Sequence, residues 1–264
     1  MKIKIAVRGL LLFLSTASIA HATGEVVTFK GISKTEQEFQ LRGILHKPKG
    51  QGPSPAIIML PPGGGFRWSG YDRWVDKFVN WGYVALKVET LASRGVSSIF
   101  EGDTGGASPA VSKEEEAQDA YAAKAYLSGL AFVDRNRIGL SGWGFGGGAV
   151  LRVVDPSVRL QNRGTPFKAA IAFYPMCDRP LMDFDTPLLV LNGESDTWHP
   201  ATRCRVIEAR CKHEIIMKTY PGAYMFFDLE GVDDTMMGHR LLYDPEAAAD
   251  ASEQVKSFLA EYFQ

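Results

Sequence analysis

The stretch from Arg137 to Leu151 restricts the fold more than any other part of the chain. Arg137-Ile138-Gly139-Leu140-Ser141 reads as a short buried strand, and Gly147-Gly148-Ala149-Val150-Leu151 as the opening of a helix. Between them lies Gly142-Trp143-Gly144-Phe145-Gly146, with glycine at every second position. A strand that turns this sharply into a helix lifts its central side chain above the edge of a sheet, and in the G-x-S-x-G version that side chain is a nucleophilic serine. Here the central residue is Gly144, which presents only a hydrogen. Ser141, three residues earlier, is expected to point into the sheet as a structural hydroxyl.

The surrounding pattern is an alternation of strands and helices. Val26 to Lys30 and Phe39 to Leu45 read as an antiparallel hairpin, and Pro55 to Leu60 as a run buried on both faces of a parallel sheet. Tyr71, Trp74, Val75 and Phe78 recur at helical spacing before Gly82, and Tyr83 to Val88 is the next strand. The Gly- and Ser-rich stretch from Leu91 to Ser112 has no period and is expected to lie over the site face. Glu114 to Leu130 reads as a helix with Ala117, Ala120, Tyr121 and Leu127 on one side. Strands follow at Ala169 to Tyr174, Leu188 to Leu191 and Ile215 to Thr219. Asp244 caps a last helix with Pro245 at its first position and Val255, Phe258, Leu259 and Tyr262 as its buried stripe. Such alternation predicts an α/β fold with a mainly parallel central sheet and helices on both faces. With 45% hydrophobic and 22% charged residues in 264, and no linker or repeat, a single domain over residues 23–264 is expected.

Residues 1–22 are set apart as a signal peptide. Lys2, Lys4 and Arg8 form a basic start, Leu10 to Leu14 begin an apolar run too short to span a bilayer, and Ala20-His21-Ala22 offers a small-residue cleavage site. Export, to a periplasm or the medium, is the expectation; an uncleaved anchor is the other reading. Without that segment the net charge moves from −1 to −4. No basic stripe suggests nucleic acid, and no second apolar run suggests a membrane. Nothing in the pattern asks for a metal or a cofactor. Export permits disulfides. Cys177 follows one strand and Cys204 follows another, so the two are placed to meet at one edge of the sheet; three packed thiols is the equally open reading. Cys204 and Cys211 are about 10 Å apart on a helix, too far to bridge.

Several short motifs, in their order and spacing, give the chain its resemblance. They are Leu60-Pro61-Pro62-Gly63-Gly64-Gly65, Tyr71-Asp72-Arg73-Trp74, Ser93-Arg94-Gly95-Val96, the turn from Arg137 to Gly148, Phe173-Tyr174-Pro175, Gly193-Glu194-Ser195-Asp196 and Tyr220-Pro221-Gly222-Ala223. Over nearly all of residues 23–264 the chain resembles the dienelactone hydrolase branch of the α/β-hydrolases. That resemblance implies a nucleophile, an acid and a histidine in chain order. It places the acid at Asp196, which is present. It places the nucleophile at Gly144 and the histidine at Met225, within Gly222-Ala223-Tyr224-Met225-Phe226-Phe227-Asp228, and neither residue can do that work. The oxyanion donors it implies are the backbone N–H groups of Gly64 and Phe145. The family's usual His-Gly ahead of the first donor is Pro62-Gly63 here, and proline has no N–H to donate.

The resemblance therefore implies carboxylic-ester or lactone hydrolase ancestry without the ordinary triad. The first reading is a non-catalytic homologue. It keeps a pocket floored by Gly144, walled by Trp143, Phe145, Met225 and Phe226, edged by Asp196, and suited to a small carbonyl or ester ligand. The alternative is a slow hydrolase in which Asp196 acts as base on a water against the Gly64 and Phe145 amides. A structural or interaction protein is the third. Of the histidines at 46, 199, 213 and 239, His199 and His239 are read as solvated or packing residues rather than a relocated base.

Overall fold

A computed structural model describes residues 24–32, 38–100, 110–162, 164–178, 184, 186–209 and 215–264. The expected signal peptide, Cys211, His213 and residues 101–109 lie outside the described residues.

Eight strands form one sheet. They are β1 (Glu25–Ile32), β2 (Glu38–His46), β3 (Ser54–Leu60), β4 (Val84–Val88), β5 (Val133–Trp143), β6 (Ala170–Phe173), β7 (Leu188–Gly193) and β8 (Ile215–Tyr220). Their order across the sheet is β1-β2-β4-β3-β5-β6-β7-β8. β1 and β2 form the expected antiparallel hairpin, and β2 lies antiparallel to β4. Every neighbouring pair from β4 to β8 is parallel. The fold is thus α/β with a mainly parallel sheet, as the alternation of elements predicts.

Helices α1 (Gly70–Asn80), α2 (Lys113–Ser128), α3 (Phe145–Val153), α4 (Pro156–Gln161), α5 (Ala201–Glu208) and α6 (Pro245–Tyr262) cover the sheet. Alternate strand residues feed two cores, because successive side chains point to opposite faces. On one face Ile58, Leu86 and Leu140 pack with Ala117, Ala120 and Leu127 of α2 and Val150 of α3. On the other Ile57, Ala85 and Leu189 pack with Trp74 and Phe78 of α1 and Val255 and Leu259 of α6. Tyr262 of the expected α6 stripe is only partly buried, and Phe263 takes the inner place.

The N-termini are capped locally. Ser112 and Glu115 satisfy each other's backbone N–H at α2 in a capping box, and Asp244 Oδ1 accepts from the N–H groups of Glu246 and Ala247 at α6. One hairpin escapes the sequence reading: β9 (Asp233–Met236) pairs with β10 (His239–Leu242) across a turn in which Met237 and Gly238 both have positive φ. Its strands are four residues each and largely polar, so neither shows a hydrophobic alternation long enough to read.

Candidate functional site

Gly144 is the one residue between β5 and α3, and it sits at φ 55°, ψ −109°. A residue with a side chain would be strained there by about 1–3 kcal/mol. The turn is pinned from both sides, with Gly144 N–H donating to the Phe173 carbonyl at 3.0 Å and Gly148 N–H to the Gly144 carbonyl at 2.9 Å. Gly146 is required for a different reason. A Cβ on it would stand 2.4 Å from the carbonyl oxygen of Pro61, so β3 and α3 approach more closely than any larger residue permits.

A Cβ on Gly144 would stand 2.9 Å from Met225 Cε, with His199 Cε1 and Pro62 Cβ each at 3.8 Å. The space that a side chain at position 144 would need is therefore taken by the Met225 methyl group. Met225 is held in place by its own backbone, which forms a bridge to Leu241 and accepts the Leu242 N–H at 3.2 Å. The hairpin β9–β10 thus buttresses Met225, the position at which the resemblance leads one to expect a histidine. Phe226, the next residue, has φ 64°, and Tyr174 after β6 has φ 36°. Both are strained, and both lie within the same cluster as Met225.

Asp196 lies on the loop after β7 and is buried. Its Oδ1 accepts from the N–H groups of Trp198 at 2.8 Å and His199 at 2.9 Å. Its Oδ2 is buried with no partner. A thioether carries no N–H, so Met225 cannot give that oxygen the bond a histidine would supply.

Of the two roles expected for His199, solvated or packing, the structure shows the buried one. It is 5% exposed, faces the cavity, and bonds through Nδ1 to the Tyr174 carbonyl at 2.8 Å. A carbonyl only accepts, so Nδ1 carries the proton. Burial lowers its pKa below the ordinary histidine value, outweighing the Asp196 charge and the Tyr174 bond that act to raise it. The ring is neutral at pH 7, with its second nitrogen left as an acceptor. His239 is a different case: it bonds Thr197 Oγ1 at 2.8 Å and stacks on Trp198 at the outer edge.

Phe145 opens α3, so its N–H has no partner within the helix. Gly64 lines the cavity opposite. The loop at Pro62 is wired without an N–H from that residue: its carbonyl accepts from Gly65, while the Gly63 carbonyl accepts from the Ile99 N–H at 2.8 Å and the Ser98 hydroxyl at 3.2 Å. The Arg67 guanidinium lies over this loop, with its carbon 3.6 Å from the Cβ position of Gly64.

These residues surround a cavity of about 360 Å³. Phe145, Met225 and Phe226 wall it as expected, joined by Trp68, Trp198 and Phe100. Ser98, Ile99 and Phe100 come from the loop expected over the site face. Met176 and Met236, with the bases Arg67 and Lys113, complete the lining. Three expected members do not line it. Gly144 is roofed by the Met225 methyl group, and Asp196 is folded back onto the amides of its own loop. Trp143 is fully buried on the other side of the turn, because its indole N–H is drawn away from the cavity to a carboxylate.

That carboxylate is Asp228. Its Oδ2 accepts from Trp74 Nε1 at 2.7 Å and Trp143 Nε1 at 2.9 Å, and its Oδ1 from the Tyr174 hydroxyl at 2.9 Å. Burial raises the Asp228 pKa, against the three donors that favour its charged form. The network passed unnoticed in the sequence, although an isolated acid closing the run Met225-Phe226-Phe227-Asp228 is a signal that buried donors must meet it. Beside the cavity, Cys177 and Cys204 form a disulfide with Cα atoms 5.2 Å apart, tying the loop after β6 to α5. Next to it Asp178 pairs with Lys113 and with Arg152, the latter at 3.0 Å.

A parallel sheet whose central strand turns through glycines into a helix, with an acid on a later loop, defines the α/β-hydrolase class. Within it, this chain belongs to the dienelactone hydrolase family, whose profile matches residues 41–263. Among solved structures, esterase 2 of Thermogutta terrifontis phosphonylated by sarin is 18% identical, covering 92% of this chain and 96% of its own, with a TM-score of 0.68. A dienelactone hydrolase-like promiscuous phosphotriesterase from metagenomic libraries is 17% identical over 92% of this chain and 100% of its own, with a TM-score of 0.63. At these identities the likeness establishes the fold. No curated protein matches the chain in sequence.

Proposed function

We propose that this protein is an exported member of a hydrolase family that does not carry out serine–histidine acyl transfer and instead holds a small, largely apolar ligand in the cavity above Gly144. One observation carries the reading. The Met225 methyl group would stand 2.9 Å from a Cβ at position 144, so the places of attacking group and proton carrier are filled by one inert side chain. Burying a thioether against a bare glycine is good apolar packing and poor proton chemistry. Removing a member of such a triad lowers turnover by several orders of magnitude, and here two are substituted.

Asp196 is ill placed to act as a base in their stead. Its Oδ1 is engaged by two backbone N–H groups and the residue does not reach the cavity wall. The cavity itself has the size and aromatic lining of a small-molecule site. Export is supported by the basic, apolar and small-residue succession of residues 1–22 and by the Cys177–Cys204 bridge, since disulfides persist in oxidising compartments.

The test uses the purified protein. A fluorophosphonate probe should leave it unlabelled, and a short-chain aryl ester should be hydrolysed no faster than in buffer. Brisk, saturable ester turnover abolished by Asp196→Ala would overturn the reading in favour of the carboxylate-based hydrolase. A screen of small aromatic and carbonyl compounds should raise the melting temperature with at least one of them.

A further inference from the structure

His199 is a buried polar side chain of the cavity wall whose chemistry the proposed reading leaves unused. Its Nδ1–H is committed to the Tyr174 carbonyl, and among the described residues its Nε2 has no protein partner. The ring edge beside Nε2 is fixed over the elbow, with Cε1 3.8 Å from the Cβ position of Gly144. The ring lines the cavity, so a ligand there can bring a donor to that nitrogen.

The rest of the wall decides what carries the donor. Phe100 and Trp198 stack with ring centroids 6.1 Å apart at one side, and Phe145, Phe226 and Met225 line the other. Flat aromatic faces and thioethers favour an aromatic ring between them. At the elbow the Phe145 N–H, first in α3 and unpaired within the helix, offers a donor to an oxygen placed there. A ligand hydroxyl can donate to Nε2, which a carbonyl or a carboxylate does not. A carboxylate would need a donor at Nε2, hence a protonated ring, which burial at this position opposes.

Resting on the ligand-binding reading above, we propose that the cavity selects a phenol, whose hydroxyl donates to Nε2 of His199, with its ring held among Phe145, Trp198 and Phe226. Arg67 supplies the competing possibility, since its guanidinium near Gly64 could draw an anion instead.

The experiment is calorimetric titration of the purified protein with 4-propylphenol, its methyl ether 4-propylanisole, and 4-propylbenzoate. The phenol should bind at least about tenfold more tightly than the ether, which matches it in shape but cannot donate, corresponding to roughly 1.4 kcal/mol. The benzoate should be the weakest. In His199→Leu the phenol and the ether should bind alike. In His199→Gln, whose amide can donate to the Tyr174 carbonyl and accept from the ligand, part of the preference should return. Equal binding of phenol and ether by the parent, or tightest binding of the benzoate, overturns the phenol assignment and leaves the ligand-binding reading standing. If none of the three binds, both fall. Because the parent comparison needs no variant, the assignment stays testable even if His199→Leu does not fold.

Discussion

The turn at Trp143 and Gly144 separates two regions that carry very different equipment. Behind it Asp228 accepts three hydrogen bonds from Trp74, Trp143 and Tyr174, all buried. In front of it Gly144 has no side chain, Met225 has no exchangeable proton, and Asp196 keeps one buried oxygen without a partner. The rear network holds a tight turn in place, and removing any part of it exposes the folded state to an unpaired polar group. The front positions are held by fewer polar bonds: Met225 by packing and its backbone bridge to Leu241, Asp196 by the two N–H groups on its Oδ1. The tight turn at Gly144 is thus kept by backbone and rear-side bonds that do not depend on a side chain at its centre.

The largest expected effect would restore the front. Gly144→Ser with Met225→His should clear the methyl group, supply nucleophile and base beside Asp196, and raise aryl-ester turnover about a hundredfold over the parent, within the range a placed proton carrier contributes. Labelling by a fluorophosphonate reports the same outcome. A well-folded double variant that stays inert would mean that the loop at Pro62 or the Asp196 carboxylate no longer meets the reacting atoms, and the contrast would extend beyond side chains.

Breaking the rear should be felt in stability. Asp228→Ala leaves two indole N–H groups and a phenol hydroxyl unpaired, a loss of about 3–5 kcal/mol. Its melting temperature should fall by about 10 °C. Asp228→Asn keeps an acceptor for both indoles and should lose distinctly less. If the Asp228→Ala variant melts with the parent, the network is ornamental to the fold.

A smaller effect comes from the ion cluster of Asp178, Lys113 and Arg152. Burial acts to raise Asp178, but Lys113 and Arg152 outweigh it and hold the carboxyl below its ordinary value. A depressed folded-state pKa contributes stability that is complete above the ordinary aspartate range and is lost as pH falls through the folded value. The melting temperature of the parent should therefore drop more steeply below about pH 4 than that of Asp178→Asn, which has no such charge to lose. Parallel curves would remove the cluster from any account of acid stability.

The smallest effect tests the elbow directly. Gly144→Ser alone places a side chain at φ 55° against the Met225 methyl group, and should lower stability by about 1 kcal/mol without restoring turnover. A melting temperature equal to or above that of the parent would mean that the turn relaxes and that the strain argument fails.

The amino-acid sequence by itself determined the alternation of strands and helices, the glycine turn between Ser141 and Gly147, and the absence of a nucleophilic or basic side chain at Gly144 and Met225. Each of these is written in local pattern or in the identity of one residue, and the periods of strand and helix reveal it without reference to distant parts. What lines the cavity was decided only by tertiary structure. Trp143 and Asp196 read as pocket walls from their neighbours in sequence, yet one turns to Asp228, eighty-five residues away, and the other to the amides beside it. His199 reads as solvated or packing, and its buried place beside Gly144 is fixed by a bond to the carbonyl of Tyr174, twenty-five residues earlier. The direction a side chain faces follows from which polar group finds which partner across the fold, and that pairing has no periodicity along the chain.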